Sequence, residues 1–127
     1  MSAPHGDGWG GEGDMFRPRH LLQPCILILL AESAGYGYEL THRLDDIDGA
    51  RADSPAVYRA LNGLEESDLV SSHWERSASG PERRCYAITP RGREVLAGWV
   101  AKLARMNGTV AQLLRRYERS AEPVAAC

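Results

Sequence analysis

Asp53-Ser54-Pro55-Ala56-Val57-Tyr58-Arg59-Ala60-Leu61-Asn62-Gly63-Leu64-Glu65-Glu66 decides how the rest of the chain is read. Asp53 and Ser54 offer a polar cap, and Pro55 suits a first helical turn because the amide it lacks would be unpaired there anyway. Val57, Leu61 and Leu64 then recur at spacings of four and three, which predicts a short amphipathic helix from Ser54. Its other face carries the hydroxyl of Tyr58, the guanidinium of Arg59 and the amide of Asn62. Such groups bond phosphates and base edges, so this helix is the candidate for the DNA major groove.

The whole chain has 127 residues, 43% of them hydrophobic and 25% charged, the make-up of a single globular domain. A domain this small buries a modest share of its surface, so pairing with a second copy would add useful apolar burial. The net charge of -2 and a pI near 6.1 carry no global signature of nucleic-acid binding, which leaves a local basic face as the only source of one. Lys102 is the sole lysine. An arginine-dominated positive charge suits bidentate contacts to phosphate and guanine, although a biased genome composition produces the same excess.

Downstream of the quoted helix, Leu69 to Trp74 and Cys85 to Ile88 alternate in character around Ser77-Ala78-Ser79-Gly80-Pro81, which predicts a β-hairpin. Arg76, Arg83 and Arg84 are expected in its loop, placed to reach across a phosphate ridge or simply to solvate the tip. Thr89 and Pro90 then open a final helix. In it Leu96, Leu103, Val110 and Tyr117 repeat every seven residues, as do Trp99, Met106 and Leu113, with Val100 and Leu114 widening the stripe. At about 1.5 Å per residue it extends roughly 40 Å, more than a small domain needs for its own core. Packing on a second copy is therefore expected, with packing on the Cys25 helix as the alternative.

Upstream, Leu40, Leu44 and Ile47 predict a helix starting near Glu39, separated by Gly35-Tyr36-Gly37-Tyr38 from an apolar helix over Cys25 to Ala31. That apolar helix calls for cover on all sides. Residues 1–15, glycine-rich and holding Trp9, are expected as a disordered tail, and Arg17, Arg19 and His20 as a small basic group or a solvated helix start. Cys25, Cys85 and Cys127 have neither disulfide-framework nor zinc-ligand spacing, so no metal or other cofactor is expected. Leu21 to Ala31 is too short to span a bilayer and lacks a secretory pattern, so the location expected is the cytoplasm, with no membrane partner.

Three helices, a hairpin and a long helix are the order of a winged helix-turn-helix with an added dimerisation helix: a mainly α fold with a small β-hairpin. The residues resemble the PadR-type transcriptional regulators. The resemblance rests on Gly35-Tyr36-Gly37-Tyr38-Glu39-Leu40, Val57-Tyr58-Arg59-Ala60-Leu61, Leu64-Glu65-Glu66 and Trp74-Glu75. Gly80-Pro81, Arg83-Arg84, Tyr86, Ile88-Thr89 and Gly92-Arg93 complete it, over about Leu21 to Leu96. It implies a homodimeric, DNA-binding repressor, with a helix-turn-helix unit over 16–89, a dimerisation helix over 90–118 and a flexible tail over 119–127. Tyr36, Ser54, Tyr58, Arg59, Asn62, Arg76, Arg83 and Arg84 are the implied operator contacts, with Tyr58 matching a phosphate-binding tyrosine and Tyr38 expected to pack. Leu96, Trp99, Val100, Leu103, Met106, Val110, Leu113 and Tyr117 are the implied dimer interface. A small-molecule effector is also implied, but the tryptophan position that stacks on drugs in some relatives falls nearer Leu103 than Trp99. Two departures stand out: Arg59 and Asn62 follow the tyrosine where relatives have a proline and a basic residue, and Asp68 replaces the usual glycine after the helix.

Two other classes of function compete. A winged-helix interaction module without DNA binding would suit the acidic balance. An enzyme would have to use Cys25, His42, His73 or Cys85, which stand isolated in sequence with no nucleophile, base and orienting group together.

Overall fold

The computed structural model describes residues 21–47, 50–78 and 80–121. The expectations for residues 1–15, for Arg17, Arg19 and His20, and for residues 122–127 lie outside the described residues. Seven elements follow in order: α1 (Leu22–Glu32), β1 (Gly35–Tyr36), α2 (Gly37–Leu44), α3 (Ser54–Glu66), β2 (Val70–Glu75), β3 (Arg83–Ile88) and α4 (Pro90–Ser120).

The sheet is antiparallel with strand order β1-β3-β2, so β1 adds a third strand to the expected hairpin. Gly35 pairs with Tyr86 and Tyr36 with Cys85. The expected break at Gly35–Tyr38 is thus half strand and half helix: α2 begins at Gly37, two residues before Glu39. Glu39 is part of that start, because its Oε1 accepts from the Tyr36 amide at 2.9 Å and pairs a donor that the helix leaves open. Ile47, expected on the apolar face of α2, lies past the helix end and is 37% exposed. Past Leu44 the α-helical bonds give way to a tighter turn in which the Asp45, Asp46 and Ile47 amides donate to the carbonyls three residues back.

Ile26, Leu27, Leu29 and Leu30 of α1 meet Leu40 and Leu44 of α2, Val57, Leu61 and Leu64 of α3, and Tyr86 of β3 in one buried cluster. The chain covers one side of α1 fully and leaves Leu22, Cys25 and Ile28 partly buried, so the all-round cover expected for it is not complete within one chain. Its last carbonyls are satisfied by Arg43, whose guanidinium donates to the Leu29 carbonyl and, at 3.1 Å, to that of Ser33.

The joint between α3 and α4 is built from backbone. After Glu66 the chain turns through Asp68 at φ 63°, with the Asp68 amide donating to Glu65 at 3.0 Å and the Leu69 amide to Leu64 at 2.9 Å. That pair of bonds is a Schellman motif with an aspartate where glycine is commonest. The Asp68 carbonyl accepts from the Thr89 hydroxyl at 2.7 Å, and the same hydroxyl oxygen accepts from the Gly92 amide at 2.8 Å, capping α4. Gly92 is required here, since a Cβ would stand 2.1 Å from the Leu69 carbonyl oxygen.

The first turns of α4 pack on the chain's own core through Val95, Leu96 and Trp99, all half-buried. Beyond Trp99 the helix projects: Val100, Met106, Val110, Leu113, Leu114 and Tyr117 are exposed, Leu113 at 61%. The packing on the chain's own core expected as the alternative is thus seen over the first turns, and the apolar stripe beyond Trp99 is left uncovered within the chain. The helix runs on to Ser120, so Arg119 and Ser120 belong to it rather than to the tail expected from residue 119.

Candidate nucleic-acid interface

α3 is fixed at its start by Asp53, whose Oδ1 accepts from the Ala56 amide at 2.9 Å. Burial of Val57, Ala60, Leu61 and Leu64 sets its rotation and leaves Ser54, Tyr58, Arg59 and Asn62 on the open side. Arg59 makes no ion pair or hydrogen bond among the described residues, and neither does Asn62. A cationic fork and an amide with unspent donors thus sit on one side of a rigid helix, the arrangement needed to bond an external partner.

Between the starts of α2 and α3 and the sheet lies a cleft of about 420 Å³, lined by Tyr36, Tyr38, Tyr58, Asn62, Trp74 and Arg83 among others. Tyr58 reaches it because Gly37 has no side chain: a Cβ there would lie 2.5 Å from the Tyr58 ring. Tyr38, expected to pack, is 49% exposed and stacks on Tyr36 with ring centroids 5.9 Å apart and planes 1° apart. Trp74 is 61% exposed on the wing. Neither was singled out from the sequence as part of this surface. The signal available was the recurrence of aromatic residues within two short motifs, and the pairing of β1 with β3 is what joins them.

The arginines divide. Arg76 lies just past β2, exposed and without an ion pair among the described residues. Arg83 and Arg84, expected in the hairpin loop, open β3 instead. The Arg83 guanidinium lies 4.1 Å above the centre of the Tyr36 ring. Arg84 donates through Nη2 to Glu65 Oε1 at 3.1 Å and through Nε to the Ser72 hydroxyl at 2.8 Å, while that hydroxyl donates to Glu65 Oε2 at 2.7 Å. Arg84 therefore clamps the sheet to the last turn of α3 and stacks over Trp74 and Tyr86. The clamp was invisible in sequence because it depends on register: Ser72 opposes Tyr86, with Arg84 two residues back along β3.

Tyr36 is likewise engaged, its hydroxyl donating to Glu75 Oε1 at 2.5 Å. That bond to a carboxylate holds the phenol above its usual pKa, so it remains a donor, and it draws Glu75 below the usual carboxylate range, aided by His73 Nε2 at 2.8 Å. Of the four residues weighed as isolated catalytic groups, Cys25 sits in α1 and His42 on the exposed side of α2, whereas His73 and Cys85 are cross-strand partners. Burial raises the pKa of both described thiols, Cys25 and Cys85.

A helix presented beside a three-stranded wing, with a long helix leaving the core, defines a winged helix-turn-helix regulator. The chain belongs to the transcriptional regulator PadR-like family, whose model matches residues 26–98. A probable transcriptional regulator of Mycobacterium tuberculosis is 35% identical over 83 residues, 64% of this chain and 44% of that protein. This chain thus spans less than half the length of that curated relative. The crystal structure of a PadR-like transcriptional regulator from Bacillus cereus matches with TM-score 0.68 and 28% identity, over 76% of this chain and 94% of that one. A conserved protein described as a potential transcriptional factor matches with TM-score 0.72 and 35% identity, over 90% of this chain and 99% of that one. No helix among the described residues is long and apolar enough to cross a membrane.

Proposed function

We propose that this regulator is a cytoplasmic, homodimeric repressor that inserts α3 into the major groove of its operator. The observation that carries this is the division of α3: its apolar side is spent on the core, while Arg59 and Asn62 stand open with their donors unspent. Tyr58 supplies a phosphate contact from the edge of the cleft, Ser54 lies at the helix start nearest the backbone, and Arg76 and Arg83 extend the charge along the wing. Residues 16–89 form the DNA-binding unit. Residues 90–118 pair with a second copy through Val100, Leu103, Met106, Val110, Leu113 and Tyr117, while Leu96 and Trp99 divide their surface between the chain's own core and the mate. A small molecule bound between paired helices would relieve repression by changing their separation.

Footprinting on DNA upstream of the chain's own gene tests the proposal. Two protected half-sites about 34 Å apart, or a multiple of one helical turn, are expected, with binding that weakens steeply as salt rises. Binding without salt dependence, or affinity unchanged by Tyr58→Ala with Arg59→Ala, would overturn it. The net charge of -2 favours a second possibility, a protein-interaction module of the same fold. That module would protect no DNA at any salt concentration.

A further inference from the structure

His73 and Cys85 face each other across β2 and β3, and Glu75 follows two residues along β2. Because strand side chains alternate, these three share the face opposite Ser72, Arg84 and Tyr86. One ligating atom of each, an imidazole nitrogen, a carboxylate oxygen and the thiol sulfur, falls within 4.8 Å of the others. Around zinc, bonds of about 2.0–2.3 Å in tetrahedral array place such atoms about 3.3–3.7 Å apart. Side-chain rotations of about 1 Å bring the trio to that spacing, well within ordinary rotamer freedom.

We propose that His73, Glu75 and Cys85 form a zinc-binding site on the wing, with a water in the fourth position. Nitrogen, oxygen and sulfur donors in one set suit a borderline-soft divalent ion, whereas calcium and magnesium prefer oxygen alone. The second layer of contacts is already in place. The Tyr36 hydroxyl holds Glu75 Oε1, which leaves Oε2 to turn from the His73 ring to the metal. Glu39 and Glu75 both act electrostatically on the Cys85 thiol against one nearby cation, Arg83, so the local field favours a positive ion. Binding transfers the thiol proton of Cys85 to solvent and leaves a thiolate on the metal. The ion then ties β2 to β3 directly and, through Tyr36, to the start of α2. Metal occupancy would stiffen the wing.

The site is tested without DNA, so its failure is distinct from failure of the repressor proposal. Metal-free full-length protein is titrated with Co²⁺ and the absorption followed. A thiolate-to-cobalt charge-transfer band with tetrahedral ligand-field bands is expected, saturating at one ion per chain and displaced by Zn²⁺. Cys85→Ser abolishes the charge-transfer band. His73→Ala, at an exposed position, weakens affinity at least tenfold. A Cys25→Ser/Cys127→Ser double variant, which removes the other thiols, retains the full signal. Absence of the charge-transfer band overturns the proposal. So does a band that survives Cys85→Ser, an affinity indifferent to His73→Ala, or a signal lost in the double variant.

Discussion

Gly37 and Tyr58 occupy the same space: a Cβ on the first residue of α2 would lie 2.5 Å from the ring carried by the second turn of α3. The two helices of the helix-turn-helix are thus keyed together at the edge of the cleft. Gly37→Ala is expected to push the Tyr58 ring out of this seat, which a half-exposed side chain does with little loss of stability. Operator affinity should fall roughly five- to tenfold, the loss of about one positioned hydrogen bond. Fluorescence anisotropy alongside thermal unfolding separates the two effects, and an unchanged affinity would detach Tyr58 from DNA contact.

Arg59 and Arg84 should respond in opposite ways. Arg84→Ala leaves Glu65 and Ser72 without their shared partner and is expected to cost on the order of 1 kcal/mol of stability, discounted for partial exposure. Arg59→Ala breaks nothing within the chain, so its melting temperature should hold while operator affinity falls by about 1–3 kcal/mol and base preference relaxes. Urea unfolding and binding to operator variants check the pair.

Glu75 gives the fold a dependence on acid. Its carboxyl is drawn below the ordinary value of 4.5 by the hydrogen bond from Tyr36 first and by His73 second. A depressed folded pKa contributes stability that is fully present above about 4.5 and fades as pH falls through the lower folded value. Urea midpoints taken from neutral pH downward should therefore drop more for the parent chain than for Glu75→Gln. Parallel curves would show that the Tyr36–Glu75 bond does not form in solution.

Gly92→Ala should be among the most damaging single changes. The added methyl would stand 2.1 Å from the backbone carbonyl oxygen of Leu69, a contact that no side-chain rotation relieves. A loss of about 2 kcal/mol or more is expected, seen as a lower urea midpoint at constant slope.

Leu113→Glu tests the pairing of α4. Leu113 is 61% exposed in one chain, so a charge there costs an isolated molecule little. In a paired helix it would be buried opposite its own copy, and analytical ultracentrifugation should find monomers that retain the helical circular dichroism of the core. The melting temperature of the parent, but not of the variant, should rise with concentration.

Much of the frame was legible from periodicity and caps. Asp53 and Thr89 mark helix starts that the structure bonds as expected, and Asp68 adopts the left-handed conformation for which a glycine is more usual. What escaped were relations between strands. The two residues of β1 are too few for any alternation to register, yet they complete the sheet. The assignment of Arg84 to the hairpin loop failed for the same reason, because its partners Glu65 and Ser72 are fixed by register and not by spacing along the chain. His73 and Cys85, twelve residues apart, looked isolated until a hairpin set them opposite each other.

The backbone joint at Asp68, Leu69, Thr89 and Gly92 also works as a crank. Carbonyl oxygens at the foot of α3 grip the first turn of α4, leaving no hinge between the helix that would enter the groove and the helix that would meet its mate. In the proposed dimer, a small change in the angle at which two α4 helices cross would be delivered through this joint to the far tips of both α3 helices. The spacing of the two half-sites would then be set by that gearing, a full helix length away from any base.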